Sequence, residues 1–371
     1  MVTYVDKKKA VDVIYLDFQK VFDRVPHQRF LLKIESMGIK GKLLTWLSAW
    51  LSNRQQRVVL NGGMSDWVNV RSGVPQGSVL GPLLFVIFVN DIDVDIISKI
   101  FKLADDGKVL NKATSVVDTS AIQDDLKKLF EWSLDWQLLF NLDKCKVMHI
   151  GSSNSKVDYY LGDHKLSVVH EEKDLGIIVQ DDLKVSKQCA KVVHTANRIL
   201  GMIYRTFTCR SREIILKLYK SLVRPHVDYC IQAWCPHLRK DIDLLEKVQR
   251  RATRMIEGLN KVTYVERLKL LNLTTLETRR FRADIIQVFR IFKGIDRVHY
   301  SEFFTVSNTS LRGHDLKVFK NRFDTNSGKY VFSNRVIDVW NDLPQDAVSC
   351  NTLNLFKPKL DHYLRNCRGL I

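Results

Sequence analysis

The sequence has no apolar run long enough to cross a bilayer as a helix. Its longest such run, Val79 to Val89, is interrupted by Gly81 and Pro82, whereas a spanning helix needs about 20 apolar residues. The first residues also lack the apolar stretch of a signal peptide. We therefore expect an intracellular protein with no membrane partner.

The cysteines follow neither a disulfide pattern nor a zinc pattern. There are seven, an odd number, and no C-x-x-C or Cys/His zinc spacing occurs. Reduced thiols in an intracellular compartment are the expected state. Cys230 and Cys235, flanked by His226 and His237, leave a metal site open as an alternative to ordinary thiols.

Acidic residues are too few to balance the basic ones. The chain holds 58 Lys and Arg against 41 Asp and Glu, a net charge of +17. Residues 186–300 alone hold 24 basic and 10 acidic residues, a net of +14. This concentration favours a polyanionic partner. The alternative is a basic protein without such a partner.

Length and patterning predict two or three domains, with boundaries near residues 165 and 300. The first part mixes strands and helices, which predicts an α+β or α/β domain, and long helical patterns dominate after about residue 183. The predicted strands are 11–18, 146–150 and short pieces near 329–332. A hairpin is predicted over 57–70, and a strand–turn–strand is predicted around 104–107. The predicted helices are 29–51 (broken at 38–41), 82–90 (after the loop at 72–81), 119–140, 184–205, 211–223, 241–257 and 274–294. The last opens on a capping box at Thr274–Glu277.

Three carboxylates lie at the ends of apolar, strand-like runs. Asp17 follows Val13–Leu16, and Asp105 and Asp106 follow Ile100–Ala104. An ionised carboxylate beside a buried strand is costly unless a cation compensates it, and magnesium prefers such oxygen ligands. We expect a bend at Gly107 to bring Asp105 opposite Asp17. A plain surface turn at Asp-Asp-Gly is the alternative.

A glycine-rich loop, Ser72–Pro82, is the most distinctive stretch of the chain. Its glycines at 73, 77 and 81 permit positive φ and close backbone approach. Gln76 is then placed to touch a substrate, although such loops often only turn the chain. Phe22, five residues after Asp17, either lies under a nucleotide sugar or belongs to the core.

The order of these motifs resembles the palm of a reverse transcriptase. The residues within these motifs are similar to those of non-LTR retrotransposon enzymes of the jockey-like type. The matching stretches are Tyr15–Phe18 with Phe22–His27, the glycine-rich loop, Ala104–Asp106, Phe140–Cys145, Lys173–Gly176, Gln249–Ala252 and Trp340–Pro344.

The resemblance implies an α+β fold: an antiparallel palm sheet with packed helices over 1–165, then a mainly helical thumb over 166–300 and a mixed C-terminal region over 301–371. It implies an RNA-directed DNA polymerase that uses an RNA template, a DNA primer and deoxynucleoside triphosphates. A nuclear location is implied by the family alone. The implied metal ligands for two Mg²⁺ or Mn²⁺ ions are Asp17, Asp105 and Asp106, and the implied nucleotide contacts are Phe18, Phe22, Gln76, Gly77 and Lys144. The predicted nucleic-acid contacts come from the charge pattern, as the densest basic clusters on the helices of residues 186–300: Arg250, Arg251, Arg254, Arg279, Arg280 and Arg282.

The sequence departs from the family pattern at several points. Only 16 residues precede Asp17, where the family carries a fingers region, and Leu103 and Gly107 replace a usual aromatic residue and a common threonine. We therefore expect an N-terminally truncated product that binds nucleic acid and polymerises poorly. A non-catalytic nucleic-acid-binding remnant is the main alternative. A two-metal nuclease is a third, but hydrolysis has no need of the glycine-rich templating loop.

Overall fold

The chain folds as two units, of which the first holds the main sheet and the second is mostly helical. A computed structural model describes residues 1–307 and 313–368. The first unit runs from Thr3 to Glu171, and the second starts at Glu172. This confirms the expected fold class, whereas the domain boundaries at 165 and 300 stay predictions.

Through residue 171 the chain alternates short strands with helices. The helices are α1 (Val2–Asp6), α2 (Val21–Arg24), α3 (His27–Ser36), α4 (Lys42–Leu51), α5 (Leu80–Phe88) and α6 (Val116–Asp135). The strands are β1 (Val11–Leu16), β2 (Gln55–Gln56), β3 (Val59–Leu60), β4 (Gly63–Met64), β5 (Val68–Asn69), β6 (Lys99–Leu103), β7 (Asp106–Lys112), β8 (Lys146–Ile150), β9 (Tyr160–Leu161), β10 (His164–Lys165) and β11 (Ser167–Val168).

Strand β1 is the centre of a five-stranded sheet with the order β11-β8-β1-β7-β6. It pairs antiparallel with β7 and β8, and only the short edge strand β11 runs parallel to its neighbour. Five of the six β1 residues are buried, as expected for a strand that is nearly apolar throughout. The residue that follows β1 therefore lies at the end of the central strand, with paired strands on both sides.

One hydrophobic core joins the sheet to helices α3, α5 and α6. Ile14 and Leu16 of β1 share it with Phe85 and Phe88 of α5 and with the apolar stripe of α6. Helix α6 begins at a capping box, in which Ser115 accepts from the Asp118 amide and Asp118 accepts in return.

A hairpin of β12 (Glu171–Asp174) and β13 (Ile177–Gln180) spans the start of the second unit at Glu172, and the unit continues as helices. A π-helical turn at Tyr219–Val223 links two helices just before Pro225, which has no amide hydrogen to donate. The helices are α7 (Ser186–Thr206), α8 (Arg212–Leu218), α9 (Arg224–Asp228), α10 (Ile231–Trp234), α11 (Arg239–Arg254), α12 (Tyr264–Leu271), α13 (Leu276–Phe292), α14 (Asn326–Tyr330), α15 (Phe332–Arg335), α16 (Ile337–Asp342), α17 (Gln345–Val348) and α18 (Leu353–Arg368), with a 3₁₀ turn at Tyr300–Glu302.

Two hydrophobic clusters fill the second unit, and helix α13 belongs to both. Its first residue, Leu276, packs with α7, α8 and α11. Its later residues Ile285, Val288 and Phe289 pack with α16 and α18. The long amphipathic helix predicted over 274–294 therefore connects the two parts of this unit.

Two sequence expectations in the second unit are wrong. The strand-like residues 329–332 lie in or between helices α14 and α15, because Thr325 caps α14 through the Gly328 amide and Asn334 bonds back to the Gly328 carbonyl. Helix α13 is capped by Thr275, whose hydroxyl accepts from the Thr278 amide, and not by a box opening at Thr274.

Two of the expected absences can be compared with the described residues. None of their helices combines the length and the apolar character that a membrane crossing requires. The six cysteines with described side chains are free, and the side chain of Cys367 lies outside the described part of the chain.

Candidate active site

The end of strand β1 lies beside the tip of the β6–β7 hairpin. Leu16, the last residue of β1, pairs with Gly107 of β7. Asp17 and Asp106 are the next residues of the two strands beyond this pair, and Asp106 in turn pairs with Leu103 of β6. The two carboxylates therefore lie at the same end of two neighbouring strands, Asp17 just after β1 and Asp106 as the first residue of β7.

The register corrects two details of the sequence expectation. The hairpin turns at Ala104 and Asp105, with Ala104 at φ 53°, so Asp105 lies in the turn and not opposite Asp17. Gly107 does not bend the chain, because it sits inside β7 and pairs on both sides.

Asp17 is held through its backbone and paired through its side chain. Its carbonyl oxygen accepts from the Asn141 amide at 2.7 Å, which ties the end of β1 to the segment before β8. Lys144 Nζ lies 3.3 Å from Asp17 Oδ1, and the two side chains are 63% and 30% exposed. This ion pair faces solvent, so Asp17 remains accessible to a ligand that competes with the lysine.

Asp12, inside strand β1, has the opposite environment. It is fully buried, and its carboxylate is bonded by His149 Nδ1, Asn154 Nδ2 and the Tyr159 hydroxyl, each at 2.7 Å. Burial and the Asp12 charge both raise the pKa of Tyr159. The sequence analysis did not consider this network, although a charged residue inside an apolar strand could have revealed it.

The donor chemistry of the Asp17 edge suits a hard divalent cation, but the three carboxylates are not gathered. Among the described side chains, which leave out 308–312 and 366–371, no three from His, Cys, Asp or Glu come together closely enough to hold a metal ion. The hairpin carboxylates are partly accessible, with Asp105 half-buried and Asp106 exposed. Oxygen donors at adjacent strand ends fit magnesium, and Lys144 is the cation beside Asp17 in this structure.

The glycine-rich loop is docked against the segment that follows Asp17. The Gly73 amide donates to the Val25 carbonyl at 2.8 Å, and the Val74 amide donates to the Phe22 carbonyl at 2.6 Å. A Cβ at residue 73 would lie 2.6 Å from the Asp23 Cα, and φ there is +86°. Only glycine fits such a close approach at positive φ.

The Gly73 carbonyl is fixed from the other side by two residues that the sequence analysis did not assign. It accepts from Arg54 Nη2 at 2.6 Å and lies 2.7 Å from His27 Nε2. His27 was noted only as part of the first palm motif, and nothing in the sequence links Arg54 to the loop. Through His27, the Gly73 carbonyl thus links the first palm motif to the glycine-rich loop.

The predicted nucleotide contacts fall into two groups by exposure. Gln76 and Gly77 are exposed, and the Gln76 amide reaches Asp23 Oδ1 at 3.2 Å. Phe22 is half-buried and lies 5.6 Å from the Phe85 ring, at the margin of the core. Phe18 is only 7% exposed and stacks on Phe140 with ring centroids 4.5 Å apart, so its ring is part of the packing beneath Asp17.

The six predicted nucleic-acid contacts also divide. Those on α11, at 250, 251 and 254, are exposed. Those on α13 bind other protein groups: Arg279 pairs with Asp228 and Arg282 pairs with Asp361, both at partly exposed positions, and Arg280 is 2% exposed and donates to the Val227 carbonyl. The exposed basic surface among these residues therefore belongs to α11.

Comparison with known protein families identifies the family to which this chain belongs. The family described as reverse transcriptase (RNA-dependent DNA polymerase) matches residues 2–192, about half of the chain. The chain belongs to the reverse transcriptase family. Its resemblance to the enzymes of non-LTR retrotransposons is confirmed as well.

Two relatives illustrate the reverse transcriptase match. The RNA-directed DNA polymerase from mobile element jockey of Drosophila funebris is 28% identical over 268 residues, which is 68% of this chain and 29% of that protein. The Drosophila melanogaster protein of the same description is 26% identical, with the same shares covered. The chain thus spans about three tenths of the length of these relatives.

Among solved structures, the chain is similar to apo telomerase from Candida tropicalis. The TM-score is 0.39 at 9% identity, and the match covers 75% of this chain and 48% of that one.

Proposed function

We propose that this chain provides the palm and thumb of an RNA-directed DNA polymerase. The reaction joins a deoxynucleoside triphosphate to a DNA primer paired with an RNA template: the primer 3′-oxygen attacks the α-phosphorus, and pyrophosphate leaves. The observation that carries the proposal is the position of Asp17, directly after the central strand β1 and one residue beyond the Leu16–Gly107 pair, where β7 begins with Asp106.

Asp17, Asp105 and Asp106 would hold two Mg²⁺ or Mn²⁺ ions in this proposal. When bound, such ions supply Lewis-acid stabilisation of the attacking and leaving oxygens. The protein contributes the fixed position of Asp17, whose backbone is tied to Asn141, and a short hairpin that carries the other two carboxylates. Displacing the exposed Lys144 ammonium from Asp17 frees the lysine to neutralise the departing pyrophosphate.

The glycine-rich loop and the Phe22 segment would form the nucleotide pocket. Gln76 and Gly77 are exposed on a loop whose base is locked to residues 22–25, so they can contact template and incoming nucleotide without moving. Phe22, at the margin of the core, would lie under the sugar and exclude a 2′-hydroxyl. Phe18 would act indirectly, by packing on Phe140 and holding Asp17 in place.

The exposed arginines of α11 would hold the phosphates of the primer and template. Arg250, Arg251 and Arg254 project from the last turns of a helix in the most basic part of the chain. Guanidinium groups bind phosphate through forked hydrogen bonds and release counterions from the nucleic acid. The α13 arginines are assigned a structural role in this proposal, because their partners are protein groups.

Primer extension on an RNA template tests the proposal with near-isosteric variants. Asp17→Asn and Asp106→Asn should each reduce incorporation at least 100-fold while primer–template binding stays within about twofold. Asp163→Asn, in an exposed turn of the same unit, is the matched control and should keep full incorporation. If both site variants extend primers as well as the control does, the assignment is wrong.

One observation favours a second candidate, a nucleic-acid-binding protein without polymerase activity. The described residues contain no assembled group of three metal ligands, and Lys144 already neutralises Asp17. Under this alternative, the unmodified chain binds primer–template yet incorporates nothing at any Mg²⁺ or Mn²⁺ concentration. Incorporation that depends on Asp17 excludes it.

A further inference from the structure

A concave basic surface lies in the second unit, at the end shared by helices α7 and α11. The cavity has a volume of about 650 Å³, and it is formed by residues 204–210 and 251–260. The Glu257 amide donates to the Arg210 carbonyl at 3.0 Å, so its two sides are joined through the backbone. Cavities of roughly 300–1,000 Å³ are the size that binds small organic ligands. We call this site the arginine cavity.

Three guanidinium groups line the arginine cavity: Arg210, Arg251 and Arg254. In the part of the chain that the structure describes, none of the three forms an ion pair. Arg251 donates to Asn197 Oδ1 at 2.9 Å, and Arg210 Nε is buried without a hydrogen-bond partner among the described residues. One lining side chain, Glu257, is acidic. The cavity therefore carries excess positive charge and an unused donor.

An aromatic ring completes the arginine cavity. Tyr204 lines it and is 49% exposed, and the Arg210 guanidinium lies 3.8 Å from its ring centroid. A tyrosine fixed by a stacked guanidinium on one side keeps its remaining exposed surface for a second flat group. Nucleic acid bases stack on such rings regardless of their identity.

Stabilisation of helix α11 explains only part of this arrangement. Arg251 and Arg254 lie in its last turn, where cations offset the negative end of the helix dipole. That role requires neither the unpartnered Nε of Arg210 nor an exposed tyrosine beside a cavity. It also does not bring the arginines of two separate segments to one concave surface.

We infer that the arginine cavity binds one nucleotide of a single-stranded nucleic acid, with its phosphate on Arg251 and Arg254 and its base stacked on Tyr204. A base inside a duplex is stacked on both sides and has no free face for the ring, whereas a single-stranded base does. The inference rests on the proposed nucleic-acid function, and it names a binding site outside residues 2–192, to which the family match extends.

Fluorescence anisotropy with the full chain tests this inference, using a labelled single-stranded 12-mer and a duplex of the same length without metal or triphosphates. Tyr204→Ala should weaken single-strand binding by roughly 5- to 100-fold, the range for loss of one base stack, and duplex binding by less than twofold. Tyr160→Ala, an exposed tyrosine of the first unit, is the matched control and should change neither. Thermal melting of each variant checks folding.

Salt dependence tests the phosphate contacts separately. Arg254→Gln should lower the slope of log K against log salt by about 0.7 for the single strand, the value for one phosphate. Lys247→Gln removes the same charge from an exposed position of α11 outside the cavity and should leave the slope nearly unchanged.

Three results overturn the inference: unchanged single-strand binding by Tyr204→Ala, equal losses on single strand and duplex, or equal slope changes for Arg254→Gln and Lys247→Gln. Failure of the polymerase proposal is a different outcome, because Asp17→Asn removes incorporation and leaves this metal-free binding intact. A catalytically inactive chain can therefore still confirm the arginine cavity.

Discussion

At the scale of single residues, two nearby carboxylates differ in role: Asp12 lies inside strand β1, and Asp17 follows the end of that strand. Asp12 is fully buried with three hydrogen-bond partners, whereas Asp17 is partly exposed with one lysine. A buried carboxylate with a complete set of partners stabilises the fold, and its neutralisation leaves those partners poorly satisfied. An exposed carboxylate contributes little to stability and is free to bind a ligand.

Asn substitution at the two positions should therefore give opposite results. We expect Asp12→Asn to lower the free energy of unfolding by about 2–4 kcal/mol, and Asp17→Asn to change it by less than about 0.5 kcal/mol. Urea denaturation of both variants measures the difference. A larger loss for Asp17→Asn would mean that its ion pair with Lys144 is structural.

The glycine-rich loop makes a residue-scale prediction about backbone geometry. Gly73→Ala should cost about 2–4 kcal/mol, because it combines positive φ with a Cβ that meets Asp23. Gly77→Ala is the control: it has φ +77° but open space around it, so only about 1 kcal/mol of backbone strain is expected. Equal losses in urea denaturation would show that the close approach to Asp23 has no energetic effect.

Cys145 predicts a pH dependence of stability. Burial raises the pKa of its thiol from the ordinary 9.0 to about 11. Above pH 9 the unfolded chain loses this proton while the folded chain keeps it, so stability falls as pH rises toward 11, by up to about 3 kcal/mol. Between pH 8 and 11, Cys145→Ala should lose less stability than the unmodified chain. Parallel pH profiles would contradict the assignment.

At the scale of elements, a buried ion pair joins helix α13 to helix α15. Arg335 Nε and Nη2 lie 2.8 and 3.0 Å from the two Asp284 carboxylate oxygens, and the side chains are 14% and 4% exposed. Burial raises the pKa of Asp284, and Arg335 only partly offsets this. Desolvation thus outweighs the attraction, as is common for buried pairs.

Breaking this pair should be worse than replacing it. We expect Asp284→Leu alone to cost about 3–5 kcal/mol, because it leaves the Arg335 charge buried and unpaired. The double variant Asp284→Leu with Arg335→Met should recover at least half of that loss in urea denaturation. If the double variant is less stable than Asp284→Leu, the charge pair itself stabilises the interface between the two helices.

The elements themselves could be predicted well where a pattern is local. Strand β8 matches the predicted 146–150, and the long helices begin and end within a few residues of their apolar periodicity. The strand predicted near 329–332 is wrong for a local reason. The β-branched and aromatic residues there are typical of a strand, but the Thr325 cap and the Asn334 hydrogen bond favour helical turns. A pattern of residue types does not reveal which side chain will cap a turn.

At the scale of the whole molecule, the sequence predicts which motifs matter but not how they meet. Arg279 and Arg282 were grouped with the exposed arginines because their partners, Asp228 and Asp361, lie 51 and 79 residues away. The strand register that brings Asp106 close to Asp17 likewise depends on pairing between residues far apart in the sequence. The arginine cavity joins segments about 40 residues apart, and the sequence analysis missed it for the same reason.

The central claim is that Asp17 and the hairpin carboxylates hold divalent ions at the end of a primer. Electron paramagnetic resonance of Mn²⁺, titrated into the full chain with bound primer–template and a triphosphate, measures this directly. The account predicts that the unmodified chain and Asp163→Asn take up Mn²⁺ tightly and that Asp17→Asn and Asp106→Asn lose at least tenfold in affinity. Equal Mn²⁺ uptake by all four proteins would contradict it.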